Sequence, residues 1–211
     1  MLPPIPEKLR RIDESTVEEH FSLAPTDRCY YVWEYTAGKD YSFSPTNNLI
    51  KNLKISPSDI AQSPRRARYK REAVDHAAAT LRKLISKGFV EQRATFVPMP
   101  GSKIRGDADY DDRIGHVLER AFDDRDADIR RMLALTESTP ADHTAEDRLS
   151  YEELLRITRL TAAANAPPRP IIAIVDDVLN SGKHFRVAQK LLRDRFPETE
   201  IRGIFIARCI R

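Results

Sequence analysis

The stretch that most constrains the fold is an apolar run that ends in two carboxylates and passes through a short turn into a helical pattern. It reads Ile171-Ile172-Ala173-Ile174-Val175-Asp176-Asp177-Val178-Leu179-Asn180-Ser181-Gly182-Lys183-His184-Phe185. Ile and Val at this density, bounded by turn residues, predict a buried strand of a parallel sheet. Open sheets of this kind bind their ligands at the carboxyl ends of the strands. We therefore expect Asp176 and Asp177 to lie at a ligand-binding edge.

The turn that follows the two acids has the composition of a phosphate site. Backbone N–H groups of a tight turn and of a helix N-terminus attract phosphate oxygens. Acids on one side and phosphate-binding groups on the other indicate a sugar phosphate as ligand. A Walker A loop is disfavoured, because it requires Gly at position 177 and Ser or Thr at position 184, where this chain has Asp177 and His184.

The rest of the chain predicts an α/β fold with a parallel-sheet core flanked by helices. In the second half, strands at 94–99, at 130–135, from Ile171 to the two acids, and at 201–210 alternate with helices at 113–122, 149–160 and 185–196. The first half contains a predicted hairpin at 28–43 and a basic amphipathic helix at 65–87. We expect two units, a smaller N-terminal subdomain at 1–93 and a core at 94–211.

Charge and composition limit the class of protein. The 211 residues carry a net charge of only +3, but residues 62–93 hold nine Lys or Arg against three Asp or Glu, which favours an anionic partner there. This basic helix is most often a solvated face, and nucleic-acid binding is the alternative. The start lacks a signal-peptide pattern and no segment has the length of a membrane span, so we expect a cytoplasmic protein without membrane contact. Cys29 and Cys209 are expected as buried thiols or, less readily, a disulfide.

The segment from Val175 to His184 resembles the phosphoribosyl pyrophosphate (PRPP) loop of type I phosphoribosyltransferases. The resemblance implies that Asp176 and Asp177 are catalytic residues that hold the ribose hydroxyls. It also implies that the 5′-phosphate is bound by the turn, namely by Asn180, Ser181, Gly182, Lys183 and His184. The family's Thr-Gly-x-Thr stands here as Ser181-Gly182-Lys183-His184, so that a histidine replaces the last threonine.

Two further segments are similar to parts of the same family. The loop after strand 94–99 looks most like that of the ComF-type branch, and it implies pyrophosphate binding by Pro100, Gly101, Ser102, Lys103 and Arg105. The polar stretch 136–148 stands where the family has a mobile loop, with His143 and Arg148 as the catalytic residues that reach the substrate on closure. The resemblance covers roughly residues 94–210, and the first 93 residues would then be a hood that selects the nucleophile.

The expected function is transfer of a phosphoribosyl group from PRPP to a base-like nitrogen, with release of pyrophosphate. The expected cofactor is Mg²⁺, held by Asp176 and Asp177 directly or through water. Since members of the family are often dimers, a homodimer is a further expectation. The alternative is a catalytically altered module of the same fold that binds a nucleotide or, through segment 65–87, a nucleic acid, for example in competence or in a retron-type antiphage defence system. His184 and the basic segment motivate this alternative.

An acidic run before the helix at 113–122 admits two interpretations. Residues 107–112 read Asp-Ala-Asp-Tyr-Asp-Asp, which resembles a calcium-binding cluster. The run lacks the twelve-residue loop with a closing Glu, so we expect solvated acids that cap the following helix.

Overall fold

The computed structural model describes residues 1–139 and 149–210, in which eight strands and six α-helices are arranged around one large sheet. The strands are β1 Arg10–Arg11, β2 Arg28–Thr36, β3 Ala94–Pro98, β4 Asp128–Ile129, β5 Leu133–Leu135, β6 Thr158–Leu160, β7 Ile171–Leu179 and β8 Glu200–Ile210. The helices are α1 Pro45–Leu53, α2 Pro57–Gln62, α3 Arg66–Leu84, α4 Arg113–Ala121, α5 Tyr151–Ile157 and α6 Lys183–Arg195. The predicted α/β class is confirmed. None of the described helices has the length and apolar character needed to cross a membrane.

The main sheet has six strands in the order β1-β2-β8-β7-β3-β4. All neighbours are parallel except β1, which pairs with β2 in the antiparallel sense. From β3 the chain first moves outward to β4 and then returns to β7 on the other side of β3. The strand order therefore reverses between β3 and β7, which makes their carboxyl ends a topological switch point.

Two apolar layers cover the two faces of this sheet. Phe96, Ala173 and Val175 belong to the cluster that includes α1, α3 and α4. The alternate positions Ile172 and Ile174 belong to the cluster that includes α6. A strand buried on both faces needs an apolar residue at nearly every position, which explains the continuous Ile/Val run that the sequence shows in β7.

Glycine at position 203 of β8 brings α6 close to the sheet. A Cβ atom there would lie 3.0 Å from the ring of Phe185 in α6 and 2.7 Å from the ring of Phe205. A larger residue would push the first turn of α6 outward. The close approach of the β8 backbone at Gly203 thus fixes the distance between the first turn of α6 and the sheet.

The predicted hairpin at 28–43 is wrong. Residues 28–36 form β2, but its two neighbours are β1 and β8, so both sides of the strand are already paired. Residues after Thr36 form a turn instead, in which the carboxylate of Asp40 accepts hydrogen bonds from the backbone N–H of Ser42 at 2.8 Å and from its hydroxyl at 2.7 Å. Short local bonds of this kind compete with strand pairing.

Two predicted elements of the second half are divided in the structure. The strand expected at 130–135 is replaced by β4, which pairs with β3, and by β5, which joins a separate two-stranded sheet with β6. The helix expected at 149–160 ends at Ile157, because the chain then extends as β6 to pair with β5. Long-range pairing overrides the helical period here.

The first 93 residues contribute to the main sheet and to its core. β2 pairs with β8 along eight register positions. Trp33 of β2 stacks on His76 of α3 at 5.5 Å, and its indole N–H donates to the carbonyl oxygen of Pro4 at 2.9 Å. The boundary predicted at residue 93 therefore does not separate two sheets. The predicted division of the chain into two units stays a prediction. Both cysteines are buried and remain thiols.

Candidate functional site

The two carboxylates lie where β7 runs beyond the end of β3. The ladder between these strands extends from Ala94 opposite Ile171 to Pro98 opposite Val175, and one more bond joins the N–H of Met99 to the carbonyl of Val175 at 2.8 Å. β7 continues to Leu179, paired only with β8. Asp176 and Asp177 are thus the first residues of β7 beyond its pairing with β3, and they lie where the sheet opens between β7 and the loop that follows β3.

Asp177 is buried and neutralised by two cations. Its side chain is only 5% exposed, and Arg113 at the start of α4 approaches one carboxylate oxygen with Nε at 2.7 Å and with NH2 at 2.6 Å. The other oxygen lies 3.2 Å from the Nζ of Lys54, which follows α1. Two helices from different parts of the chain therefore supply positive charge to the same carboxylate, as a buried charge requires.

The ion pairs extend from Asp177 to a second, half-buried carboxylate, that of Asp111. Arg113 also contacts Asp111 at 3.1 Å, and Asp111 contacts Nζ of Lys70 in α3 at 2.7 Å. Lys70 is held further by the carbonyl oxygens of Leu53 at 3.1 Å and Ile55 at 2.6 Å. The chain of contacts thus joins α3, the end of α1, the start of α4 and β7 into one support for the site.

Asp176 is placed differently, although it is the next residue in the chain. It is half-buried, and within the described part of the chain it makes no ion pair; one of its oxygens accepts the N–H of Asp177 at 2.8 Å. Burial and then the charge of Asp177 raise the pKa of Asp176 to about 7. Burial also acts to raise the pKa of Asp177, but Lys54 and Arg113 outweigh it and hold that pKa well below its usual range.

The predicted phosphate turn opens α6 through a left-handed glycine. Gly182 has φ +91° and occupies the N-cap position, so that Lys183 and His184 become the first two residues of the helix. Ser181 is buried and its hydroxyl accepts the N–H of Lys183 at 3.4 Å. Asn180 is half-buried, whereas His184 is exposed to solvent. The turn therefore has the shape expected of a strand-to-helix phosphate site.

A segment from the first part of the chain lies over this turn. We call residues 16–27 the strap. His20 of the strap donates from its ring to the carbonyl oxygen of Asn180, and the N–H of Ser22 donates to the carbonyl oxygen of Ser181 at 2.9 Å. Leu23 packs so closely that a Cβ on Gly182 would lie 2.8 Å from it. The turn thus has its carbonyl groups satisfied by the strap.

The far end of the strap is held against α6 by a buried carboxylate. Asp27 accepts hydrogen bonds from Gln189 at 2.8 Å and from Arg186 at 3.2 and 3.3 Å. It also accepts the N–H of Ala24 at 2.8 Å. The strap is therefore fixed at two places, to the turn by its middle and to the helix that the turn opens by its last residue.

The loop expected to bind pyrophosphate lies beside the ion pairs of Asp177. A Cβ on Gly101 would lie 3.1 Å from the carbonyl oxygen of Asp111 and 3.7 Å from a guanidinium nitrogen of Arg113. Lys103 donates from Nζ to the carbonyl oxygen of Thr139 at 2.8 Å, and Arg105 is exposed. The other predicted members of this group, Pro100 and Ser102, are half-buried in the same loop.

The acidic run before α4 does not cap that helix, so the expectation of solvated capping acids is wrong. Asp112 occupies the N-cap position without a side-chain cap bond and instead pairs with Arg131 at 2.5 Å. Asp109 accepts the N–H of Ser58 at 2.9 Å, and Asp107 accepts the hydroxyl of Ser138 at 2.6 Å. These carboxylates bind residues of other segments of the chain, including the start of α2, and not the N-terminus of α4.

Lys183 and the two residues assigned to the mobile loop complete the predicted set. The Nζ of Lys183 donates to the carbonyl oxygen of Leu149. His143 and Arg148 lie outside the described residues, and their assignment stays a prediction.

The donor set at β7 is of the kind that Mg²⁺ accepts. Residues 1–139 and 149–210 contain no group of three or more His, Cys, Asp and Glu side chains that could enclose a metal. Mg²⁺, however, is commonly bound by one or two carboxylates together with waters and substrate phosphates. Asp176 and Asp177 supply two such carboxylates, and of these Asp176 is the one without an ion pair.

No local sequence signal marks Lys54 as a member of this site, and the sequence marks Arg113 only as one more basic residue. Lys54 lies 123 positions before Asp177 (177 − 54), and the contact forms because α1 follows β2, whose carboxyl end lies at the same edge of the sheet as that of β7. Arg113 is the first residue of α4 and follows a run of acids. In the sequence, only this change of charge distinguishes it.

Much of the positive charge in the predicted basic segment is compensated within the chain. Five of its nine basic side chains pair with carboxylates in the structure; these are Arg66, Arg68, Lys70, Arg82 and Lys87. Several of the carboxylate partners come from outside the segment. Counting charges along the sequence therefore overestimated the net positive charge around this segment in the folded protein.

Comparison with models of protein families and with curated proteins finds no match to this chain.

Proposed function

We propose that this protein binds PRPP together with Mg²⁺ and transfers the phosphoribosyl group to a nitrogen nucleophile, with release of pyrophosphate. The observation that carries the proposal is one arrangement: two adjacent carboxylates at a topological switch point, followed three residues later by a turn with a left-handed glycine that opens a helix. Carboxylates suit ribose hydroxyls and a hard cation, and the turn suits a phosphate.

The two carboxylates would have different tasks. Asp177 keeps its charge because Arg113 and Lys54 lie against it. Asp176 makes no such pair among the described residues and is half-buried, so its oxygens are the ones available to ribose hydroxyls or to a metal. Ligand oxygens or a cation at Asp176 would favour its ionised form and lower its raised pKa.

The turn would hold the 5′-phosphate through backbone groups. The first N–H groups of α6 have no partner within the helix by the geometry of any helix start, and they carry the positive end of the helix dipole. Because the strap satisfies the carbonyl oxygens of Asn180 and Ser181, the turn is held in one conformation. A preorganised turn binds an anion without the cost of ordering it first.

The transfer breaks the bond between the anomeric carbon and the pyrophosphate oxygen, and it forms a bond from that carbon to the acceptor nitrogen. The nitrogen loses its proton to solvent or a base, and pyrophosphate leaves with the bonding electrons. Bound Mg²⁺ would neutralise charge on the leaving group. Arg113, beside Gly101 of the neighbouring loop, would add a fixed positive field at the side where that charge develops.

Isothermal titration with PRPP and Mg²⁺ tests the proposal. We expect binding by the wild type, at least tenfold weaker binding by Asp176→Asn because a ligand to ribose and metal is lost, and unchanged binding by Asp194→Asn, an exposed acid of α6. Failure of the wild type to bind, or full binding by Asp176→Asn and by the double variant Asp176→Ala/Asp177→Ala, would contradict it.

A second candidate is a module of the same type that binds PRPP or a nucleotide without transfer. The specific observation in its favour is His184, which is exposed at the second position of α6, where the family to which the turn is similar has a threonine. Release of pyrophosphate from PRPP on addition of purine and pyrimidine bases distinguishes the two. Binding without release supports the second candidate, and salt-dependent binding of single-stranded DNA would support its nucleic-acid form.

A further inference from the structure

We propose that Lys54 is an anion-binding residue of this site, which neutralises Asp177 in the free protein and turns to the pyrophosphate group when PRPP binds. The inference rests on the proposed function and adds to it a residue from the first part of the chain. Its starting point is the unequal way in which two cations hold one carboxylate.

The contact of Lys54 with Asp177 is the weaker of the two. Arg113 uses two nitrogens on one oxygen, at 2.7 and 2.6 Å, and its side chain is 18% exposed. Lys54 uses its single charged nitrogen at 3.2 Å, and its side chain is 44% exposed. Arg113 therefore holds Asp177 by two short contacts, whereas Lys54, with one longer contact and a more exposed side chain, is the partner that is more easily exchanged.

The backbone on both sides of Lys54 is fixed, although the side chain of Lys54 is exposed. Its neighbours Leu53 and Ile55 are buried, and the carbonyl oxygens of both accept hydrogen bonds from Nζ of Lys70. Lys70 also binds Asp111, the second partner of Arg113. Lys54 therefore has a flexible side chain on a fixed backbone, next to the Asp177 carboxylate at the open end of the sheet. Such a side chain can move from Asp177 to an anion that binds nearby.

Three other lysines of this part of the structure are committed elsewhere. Lys103 donates to the carbonyl oxygen of Thr139 and Lys183 to that of Leu149. Lys70 is held by two carbonyl oxygens and one carboxylate. Lys54 is thus the cation at Asp177 whose present bond is easiest to exchange, and the anion it would gain is more highly charged than the carboxylate it would release.

The experiment compares three ligands on the wild type and three variants. Binding of PRPP, inorganic pyrophosphate and ribose 5-phosphate, each with Mg²⁺, is measured by titration calorimetry for wild type, Lys54→Gln and Lys54→Arg. Lys51→Gln is the matched control, because Lys51 is exposed on α1, the helix directly before Lys54, and its side chain makes no ion pair with the described residues. Thermal unfolding of each variant is measured beside it.

We expect Lys54→Gln to weaken PRPP and pyrophosphate binding by about tenfold, the usual scale for losing one charge-assisted contact. Ribose 5-phosphate lacks the pyrophosphate group, so its binding should change less than twofold, as should all binding by Lys51→Gln. Lys54→Arg should recover most of the loss, because the positive charge returns.

Three results would overturn the inference, and they separate it from the proposed function. Equal weakening for all three ligands would mean that Lys54 only supports Asp177. Unchanged or tighter PRPP binding by Lys54→Gln would mean that the lysine competes with the ligand for Asp177. In both cases wild-type binding of PRPP leaves the proposed function intact, whereas absence of wild-type binding to PRPP removes both.

Discussion

Asp176 and Asp177 are neighbours of the same residue type with opposite environments. One is half-buried without an ion pair in the described chain, and the other is buried against Arg113 and Lys54. Sequence alone predicted a ligand site at this pair, because the two acids end an apolar strand of a predicted parallel sheet. It had no means of dividing the roles, because the cations that distinguish the two come from remote helices.

The raised pKa of Asp176 predicts a cost in stability at neutral pH. In the folded chain that pKa is about 7, whereas an unfolded Asp titrates near 3.9, so the folded state binds the proton more tightly between these values. The free energy of unfolding should therefore fall as pH rises from about 4 to 7.

Asp176→Asn removes this titration. We expect the variant to be more stable than the wild type by about 1 kcal/mol or more at pH 8 and to lose that advantage at pH 4, as measured by urea unfolding across the range. Identical pH profiles for the two proteins would show that Asp176 does not titrate in this way.

Gly182 predicts a second effect at the scale of one residue. Gly182→Ala combines backbone strain at φ +91° with a contact of 2.8 Å to Leu23, and we expect a loss of about 2–3 kcal/mol. Gly106→Ala is the matched control, with φ +95° and nothing within 4 Å of the new Cβ, for which we expect about 1 kcal/mol.

In a Leu23→Ala background, Gly182→Ala and Gly106→Ala should have more similar effects on the free energy of unfolding. Leu23→Ala removes the close contact at Gly182 and leaves the backbone strain that both substitutions share. Denaturant midpoints of the single and double variants measure this. If Gly182→Ala costs no more than Gly106→Ala, the strap does not press on the turn.

At the scale of elements, the ion pair between Arg113 and Asp177 fastens the start of α4 to β7. Arg113→Gln leaves two carboxylates, Asp177 and Asp111, short of a partner, and we expect a loss of about 3 kcal/mol in the free energy of unfolding. Arg120→Gln on the same helix breaks an exposed pair with Asp75 and should cost less than about 1 kcal/mol.

A double-mutant cycle with Asp177→Asn isolates the coupling. The double variant should be less destabilised than the sum of the single variants, because the uncompensated charge is gone. Additive effects in chemical unfolding would mean that Arg113 acts on stability independently of Asp177.

Elements with a strong pattern of their own were predictable, and elements defined by a distant partner were not. The apolar run of β7 and the periodic spacing in α3 and α6 led to correct types and nearly correct bounds. β4 has two residues and β6 three, and each exists only because of the strand it pairs with. The same holds for the site: its acids and glycine lie in one segment, whereas Lys54, Arg113 and the strap come from elsewhere in the chain.

At the scale of the whole molecule, the sheet joins the two halves of the chain. β2 covers one side of β8, and its Val32 and Trp33 lie in the core cluster with Phe96 of β3. A fragment of residues 94–211 would lose these contacts and expose an edge of β8. We expect it to lack cooperative thermal unfolding by circular dichroism, in contrast to the full chain.

A sharp unfolding transition of that fragment, with the helix and strand content of the full chain, would instead support the predicted division at residue 93. The full chain purified in the same way is the reference, and a second fragment that begins before β2 separates the effect of the strand from that of truncation.

The ladder between β2 and β8 has a consequence for how the chain reaches its native state. Glu34 pairs with Arg208, which lies 174 positions further along the sequence, and the other rungs have the same offset. Pairing strands at so large a separation closes a long loop, and the entropy of loop closure is lost before any contact energy is gained. Such a high contact order slows folding. During synthesis, β2 emerges early and must wait for β8 with one of its sides unpaired. The aromatic strand Arg28–Thr36 therefore needs shielding from aggregation while the chain is incomplete.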